Sequence, residues 1–81
     1  MKIHLLYFGG LRAQKELQGE SLEIPTGSSA FDAARIACAD LAPAWLGCLR
    51  LAVNEEFIPA ETLLSDGDQL ALLPPVSGGK G

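Results

Sequence analysis

This 81-residue sequence predicts an α+β fold, in which a mixed sheet of four to five strands is crossed by one principal helix and followed by an extended carboxyl-terminal tail. Three observations predict it. The apolar runs at residues 3–8 and 69–73 both fit strands, the first by its alternation with a period of two. Between them, Ala30, Phe31, Ala34, Ala37, Cys38 and Leu41 recur at helical spacing on one arc, with Asp32, Ile36 and Asp40 turned away. After Leu73 the chain passes into Pro74-Pro75 and then Gly78-Gly79, and consecutive prolines cannot donate to a sheet ladder.

Each element follows from its residues. Ile3, Leu5 and Tyr7 share one parity, and Lys2, His4, Leu6 and Phe8 the other. Gly9-Gly10 stops this strand, and the helix formers from Leu11 to Gln18, ended by Gly19, fit a short helix or turn. Glu20 to Ile24 alternates again with Leu22 and Ile24 inward, and Pro25-Thr26-Gly27 ends the run. Ser28 or Ser29 then caps the principal helix, with Asp32 as the reciprocal acid three residues after Ser29. Pro43 breaks that helix, and Trp45 and Leu46 fit a capping turn before Leu49, Leu51 and Val53 resume alternation. Asn54-Glu55-Glu56 reads as a turn, Phe57-Ile58 as a short return strand, and Ser65-Asp66-Gly67-Asp68 as an Asp-Gly turn leading into the last strand. The runs 3–8 and 69–73 are among the most apolar, which suits parallel neighbours at the sheet centre. Together these elements make the β-grasp, or ubiquitin-like, arrangement, with residues 1–74 as the domain and 75–81 as a flexible tail.

Composition narrows the function. The length allows one core, and a chain of this size buries only about 60% of its unfolded surface, which leaves little interior for a substrate pocket. A binding module or carrier is expected rather than a two-domain enzyme. With 48% hydrophobic residues the chain is too apolar for a disordered tail, and no apolar run reaches the roughly 18 residues of a membrane span. The start of the sequence lacks the features of a secretory signal, so a soluble, cytoplasmic protein with no membrane partner is expected. The net charge of -4 argues against a nucleic-acid partner. All of that charge belongs to the last part of the chain, where Glu55, Glu56, Glu61, Asp66 and Asp68 face only Lys80. Such a surface serves either solubility or steering toward a basic partner.

The side chains offer no catalyst and no metal site. His4 has no nucleophile or ligand partner at a usable spacing, and reads as a surface strand residue. Cys38 and Cys48 have no metal-ligand spacing and read as reduced, packed thiols. Ser77 has no triad partner, and Gly9-Gly10 lacks the lysine and fuller glycine pattern of a phosphate loop. The tail carries the chemistry instead. From Pro75 to Gly81 it reaches at most about 23 to 25 Å, far enough to thread a partner's channel and present a carboxylate. Glycine suits that end because no Cβ obstructs attack on its carbonyl. Leu6, Phe8, Ala71 and Leu73 lie opposite the core parity on strands expected to be neighbours, just before this tail. They form either a docking patch or a surface covered by a loop or by Trp45.

The string from Asp66-Gly67-Asp68 through Gln69-Leu70-Ala71-Leu72-Leu73 to Pro74-Pro75-Val76-Ser77-Gly78-Gly79 resembles the ending of the MoaD-like sulfur carriers, the small subunits of molybdopterin synthases. Leu6-Tyr7-Phe8-Gly9-Gly10-Leu11-Arg12 is similar to their first strand and helix, and Leu51-Ala52-Val53-Asn54 to their third strand and turn. The resemblance implies a non-catalytic subunit, working in a heterotetramer with a large subunit that supplies catalysis. It implies that a ubiquitin-activating-type enzyme adenylates the terminal glycine with ATP, that the carboxylate becomes a thiocarboxylate, and that its sulfur goes to the pterin precursor. No cofactor is permanently bound. Mapped here, Gly79 bears the sulfur and Pro74, Pro75, Val76, Ser77 and Gly78 form the inserted tail. The family ends at the second glycine, whereas this chain continues with Lys80-Gly81. Either these two residues are trimmed, or Gly81 is the activated end, or they are foreign to the natural protein; Gly79 is the favoured functional end. The same tail chemistry would also serve a carrier for thiamine or tRNA thiolation, or a ubiquitin-like protein modifier.

Overall fold

In the computed structural model, which describes residues 1–40 and 49–74, alternation places Ile3, Leu5 and Tyr7 of strand β1 (Lys2–Tyr7) in the core, each at most 1% exposed. Helix α1 (Gly9–Lys15), strand β2 (Gly19–Glu23) and helix α2 (Ala30–Ala37) follow. The second part consists of β3 (Arg50–Val53), β4 (Glu56–Phe57) and β5 (Gln69–Leu73). The sheet has five strands in the order β2-β1-β5-β3-β4, with β1 and β5 parallel at its centre and the other pairs antiparallel. This is the β-grasp arrangement expected from the sequence. Leu70 and Leu72 of β5 and Leu51 of β3 join the β1 residues on the face that α2 covers. Each such side chain contributes about 1.5 to 3 kcal/mol on burial.

Ser29 caps α2 as its sequence predicts. Its hydroxyl accepts from the Asp32 amide at 3.1 Å, and the Asp32 carboxylate accepts from the Ser29 amide at 3.1 Å. Ala30, Ala33, Ala34 and Ala37 then make a stripe at i, i+3, i+4 and i+7, and their small side chains let the helix lie close on the sheet. Phe31, expected on the packed arc, is instead 41% exposed. It lies about 100° around the helix from Ala30, beyond the edge of the stripe, and Ala33 takes a core place in its stead. Ile36 and Asp40 face outward as expected. The helix also ends sooner than its sequence suggests, at Ala37 with Cys38 as cap, so Pro43 does not terminate it. Leu41, Pro43, Trp45, Leu46 and Cys48 lie outside the described residues.

The boundaries of three further elements differ from the sequence reading. Helix α1 starts at Gly9 and stops at Lys15, because Glu16 takes a left-handed conformation (φ 57) and its amide returns to the Arg12 carbonyl. Gly19 is the first residue of β2 rather than a helix stop, and a Cβ there would overlap the Leu5 carbonyl oxygen across the strand pair. The return strand begins one residue early. Asn54 and Glu55, at φ 50 and 74, close a two-residue turn, so pairing resumes with Val53 opposite Glu56 and Ala52 opposite Phe57.

Lys15 joins the two helices. Its ammonium donates to the Ala37 carbonyl at 2.6 Å and to Asp40 at 3.0 Å, which satisfies a carbonyl at the carboxyl end of α2. Asp40 is thereby held below the usual carboxylate range, chiefly by its hydrogen bond from Lys15.

Candidate functional site

The sheet face opposite the core carries the candidate site. Register places Leu6 of β1 beside Ala71 of β5, Ala71 beside Ala52 of β3, and Ala52 beside Phe57 of β4, one row across four strands. The next row pairs Leu73 with Arg50 and leads to Phe8 at the end of β1. Leu6, Phe8, Ala71 and Leu73, singled out in sequence, therefore come together in one shallow groove of about 290 Å³, shared with Ala52, Phe57, Glu55 and Gln69. Leu6, Ala71 and Leu73 are half-buried, whereas Phe8 is 42% and Phe57 61% exposed. Ring edges of this size left in water mark a surface suited to association.

Two apolar members were not legible in sequence. Ala52 and Phe57 join the groove only because β3 lies beside β5 and β4 beside β3, and pairing between distant segments leaves no local trace. Arg50 places its guanidinium 4.3 Å from the centroid of Phe57, a cation–π contact that holds one positive charge at the rim of the apolar surface. Its signal was the parity it shares with Ala52 in the alternating run.

The carboxylates of the acidic part divide between two roles. Asp66 accepts from the Lys2 amide at 2.8 Å and Asp68 from the Ser65 amide at 2.8 Å, while Asn54 donates to Asp68 at 3.3 Å and accepts from the Gln69 amide at 3.1 Å. Both aspartates thus build the turn into β5. Glu55, Glu56 and Glu61 are exposed, and Glu55 lines the groove.

His4 is exposed on β1, with its Nδ1 3.3 Å from the Ser21 hydroxyl. Cys38 is a buried free thiol, and burial pushes its pKa up against the opposing pull of Lys15. Among the described residues, no group of three or more His, Cys, Asp and Glu side chains is placed to hold a metal ion. No helix among them is long and apolar enough to cross a membrane. Strand β5 ends at Leu73, and Pro74, half-buried, is where the chain passes toward Pro75, Val76, Ser77, Gly78, Gly79 and Gly81, all of which lie outside the described residues.

Known proteins resemble this chain along nearly its whole length. Residues 5–79 match the ThiS family. The molybdopterin synthase sulfur carrier subunit of Mycobacterium tuberculosis is 33% identical over 82 residues, covering 98% of this chain and 99% of that protein. The complex of subunits 1 and 2 of the molybdopterin-converting factor from Helicobacter pylori contains a chain 27% identical, with TM-score 0.65, over 98% of this chain and 100% of that one. SAMP1 from Haloferax volcanii shares the fold at TM-score 0.79 and 19% identity, over 98% of this chain and 100% of its own. The D-G-D turn, the apolar last strand and the P-P-V-S-G-G ending thus stand within a family match that runs to Gly79, and the chain belongs to the ThiS family.

Proposed function

We propose that this protein is the sulfur-carrying small subunit of a molybdopterin synthase, with Gly79 as the residue whose carboxylate becomes a thiocarboxylate. The observation that carries this reading is the near-complete coverage of both chains in the match to the mycobacterial sulfur carrier subunit. The family match ending at Gly79 supports that residue, rather than Gly81, as the functional end. An adenylating enzyme of the ubiquitin-activating type uses ATP as its co-substrate. The Gly79 carboxylate attacks the α-phosphate, pyrophosphate leaves, and a reduced sulfur donor then displaces AMP to leave the thiocarboxylate. The protein itself contributes the Cβ-free terminus, the tail and the groove of Leu6, Phe8, Ala71 and Leu73 as a docking face for the large subunit, which supplies the catalytic groups. The protein is cytoplasmic in this reading.

A second reading, a ubiquitin-like modifier, is supported by the SAMP1 fold, and a carrier for thiamine or tRNA thiolation shares the same tail chemistry. Chains ending at Gly79 are expected to gain a thiocarboxylate, seen by intact mass, and to support dithiolene formation with activating enzyme, sulfur donor, ATP and large subunit. Full-length chains are expected to need trimming first. Equal sulfur transfer from a thiocarboxylate on Gly81 overturns the assignment of Gly79. Loss of molybdoenzyme activity in a deletion strain supports the synthase; thiazole auxotrophy instead points to thiamine.

A further inference from the structure

Gly9 lies where β1 hands over to α1, with φ +56, a conformation that side chains rarely adopt. Its more telling feature is what faces it. A Cβ at Gly9 would stand 3.0 Å from Cγ and 3.6 Å from Cδ of Pro74. The parallel register explains the meeting: Tyr7 lies beside Leu72, and two residues further along each strand come Gly9 and Pro74. Pro74 is the root of the tail, and its ring holds its own φ near -65°, so the seat of that ring sets the direction in which the chain leaves the sheet.

We propose that Gly9 is a positioning residue for the carboxyl-terminal tail: by lacking a Cβ it seats the Pro74 ring against the β1–α1 junction and so aims the tail. This inference rests on the reading of the tail as the reactive segment. A side chain at residue 9 would have to displace the ring by a few tenths of an ångström, since 3.0 Å is closer than real Cβ contacts commonly come. Gly79 lies five residues beyond Pro74, up to about 17 Å of extended chain, so a change of direction at the root is magnified at the carboxylate once the domain is docked. Productive geometry at a reacting centre is sensitive to displacements of this kind.

The strain of a positive φ and the displacement of Pro74 are separable. Gly67 also has a positive φ, +88, but nothing lies within 4 Å of the Cβ it would carry. Gly67→Ala therefore introduces backbone strain alone. Pro74→Ala removes Cγ and Cδ, the two atoms a residue-9 Cβ would meet.

The test measures adenylation by the activating enzyme, as ATP-dependent pyrophosphate release, with chains ending at Gly79, alongside thermal melts. Gly9→Ala is expected to lower kcat/KM about tenfold with Pro74 present and less than about twofold in a Pro74→Ala background, the coupling that contacting residues show. Gly67→Ala is expected to lower the melting temperature while leaving kcat/KM unchanged. Equal losses in both Pro74 backgrounds, or an equal loss in Gly67→Ala, overturn the proposal. A wild-type chain that is not adenylated overturns the sulfur-carrier reading itself, whereas normal adenylation of both wild type and Gly9→Ala overturns only the role of Gly9.

Discussion

The Tyr7 phenol donates a 2.6 Å hydrogen bond to the Glu20 carboxylate, tying the central strand β1 to the edge strand β2 through side chains as well as through the ladder. Burial pushes the phenol pKa well above its ordinary 10.0, and the hydrogen bond and negative charge of Glu20 push it further. A folded-state pKa raised above the unfolded one stabilises the fold fully below pH 10.0 and ceases to do so as pH climbs toward the folded value. Tyr7→Phe is therefore expected to cost about 1 kcal/mol at neutral pH and to flatten the loss of stability above pH 10. Urea melts from pH 7 to 11 check this; an unchanged alkaline slope in the variant would assign the effect to other groups.

The capping box of α2 makes an acid-side prediction. The Ser29 amide, chiefly, together with its hydroxyl and Arg35, holds the Asp32 carboxyl below its ordinary 3.8. A lowered folded-state pKa contributes stability above the unfolded value and loses it as pH falls through the folded one. Asp32→Asn should thus weaken the acid dependence of unfolding below about pH 4, while Ser29→Ala should cost about 1 kcal/mol at neutral pH. Melts of both variants from pH 2 to 7 decide the point.

Phe8 and Leu73 lie on the sheet face opposite the core, so their truncation should affect binding before folding. Phe8→Ala or Leu73→Ala is expected to weaken association with the large subunit about tenfold or more, and Phe57→Ala similarly. Calorimetric titration measures the affinity and thermal melts the fold. A variant that binds normally but melts far lower would place that residue in the core instead.

The acidic part predicts a basic partner surface around the tail channel. Added salt should slow association while leaving dissociation little changed, because opposite potentials accelerate encounter more than they deepen affinity. Asp66 and Asp68 are engaged in the turn into β5, so Glu55→Gln with Glu56→Gln should reduce that salt dependence. Stopped-flow binding across ionic strengths is the measurement; a salt-independent rate would leave these carboxylates a solubility role alone.

Local rules in the sequence determined the strands, the capped start of α2, the Asp-Gly turn and the end of the sheet at the prolines. Alternation, a serine followed three residues later by an acid, and the lack of a donor in proline all act within a few residues, so each is written where it acts. The same parity separated Leu6, Phe8, Ala71 and Leu73 from the core, and the tail motif carried the family resemblance. Tertiary structure alone decided the rest. Phe31 left the packed arc because it lies about 100° around α2 from Ala30, beyond the alanine stripe that packs into the core. Ala52 and Phe57 entered the groove through pairings of β3 with β5 and β4. Gly9 met Pro74 across 65 residues of chain only because β1 and β5 run parallel in one register, and such a contact depends on how distant strands pack rather than on the residues beside it.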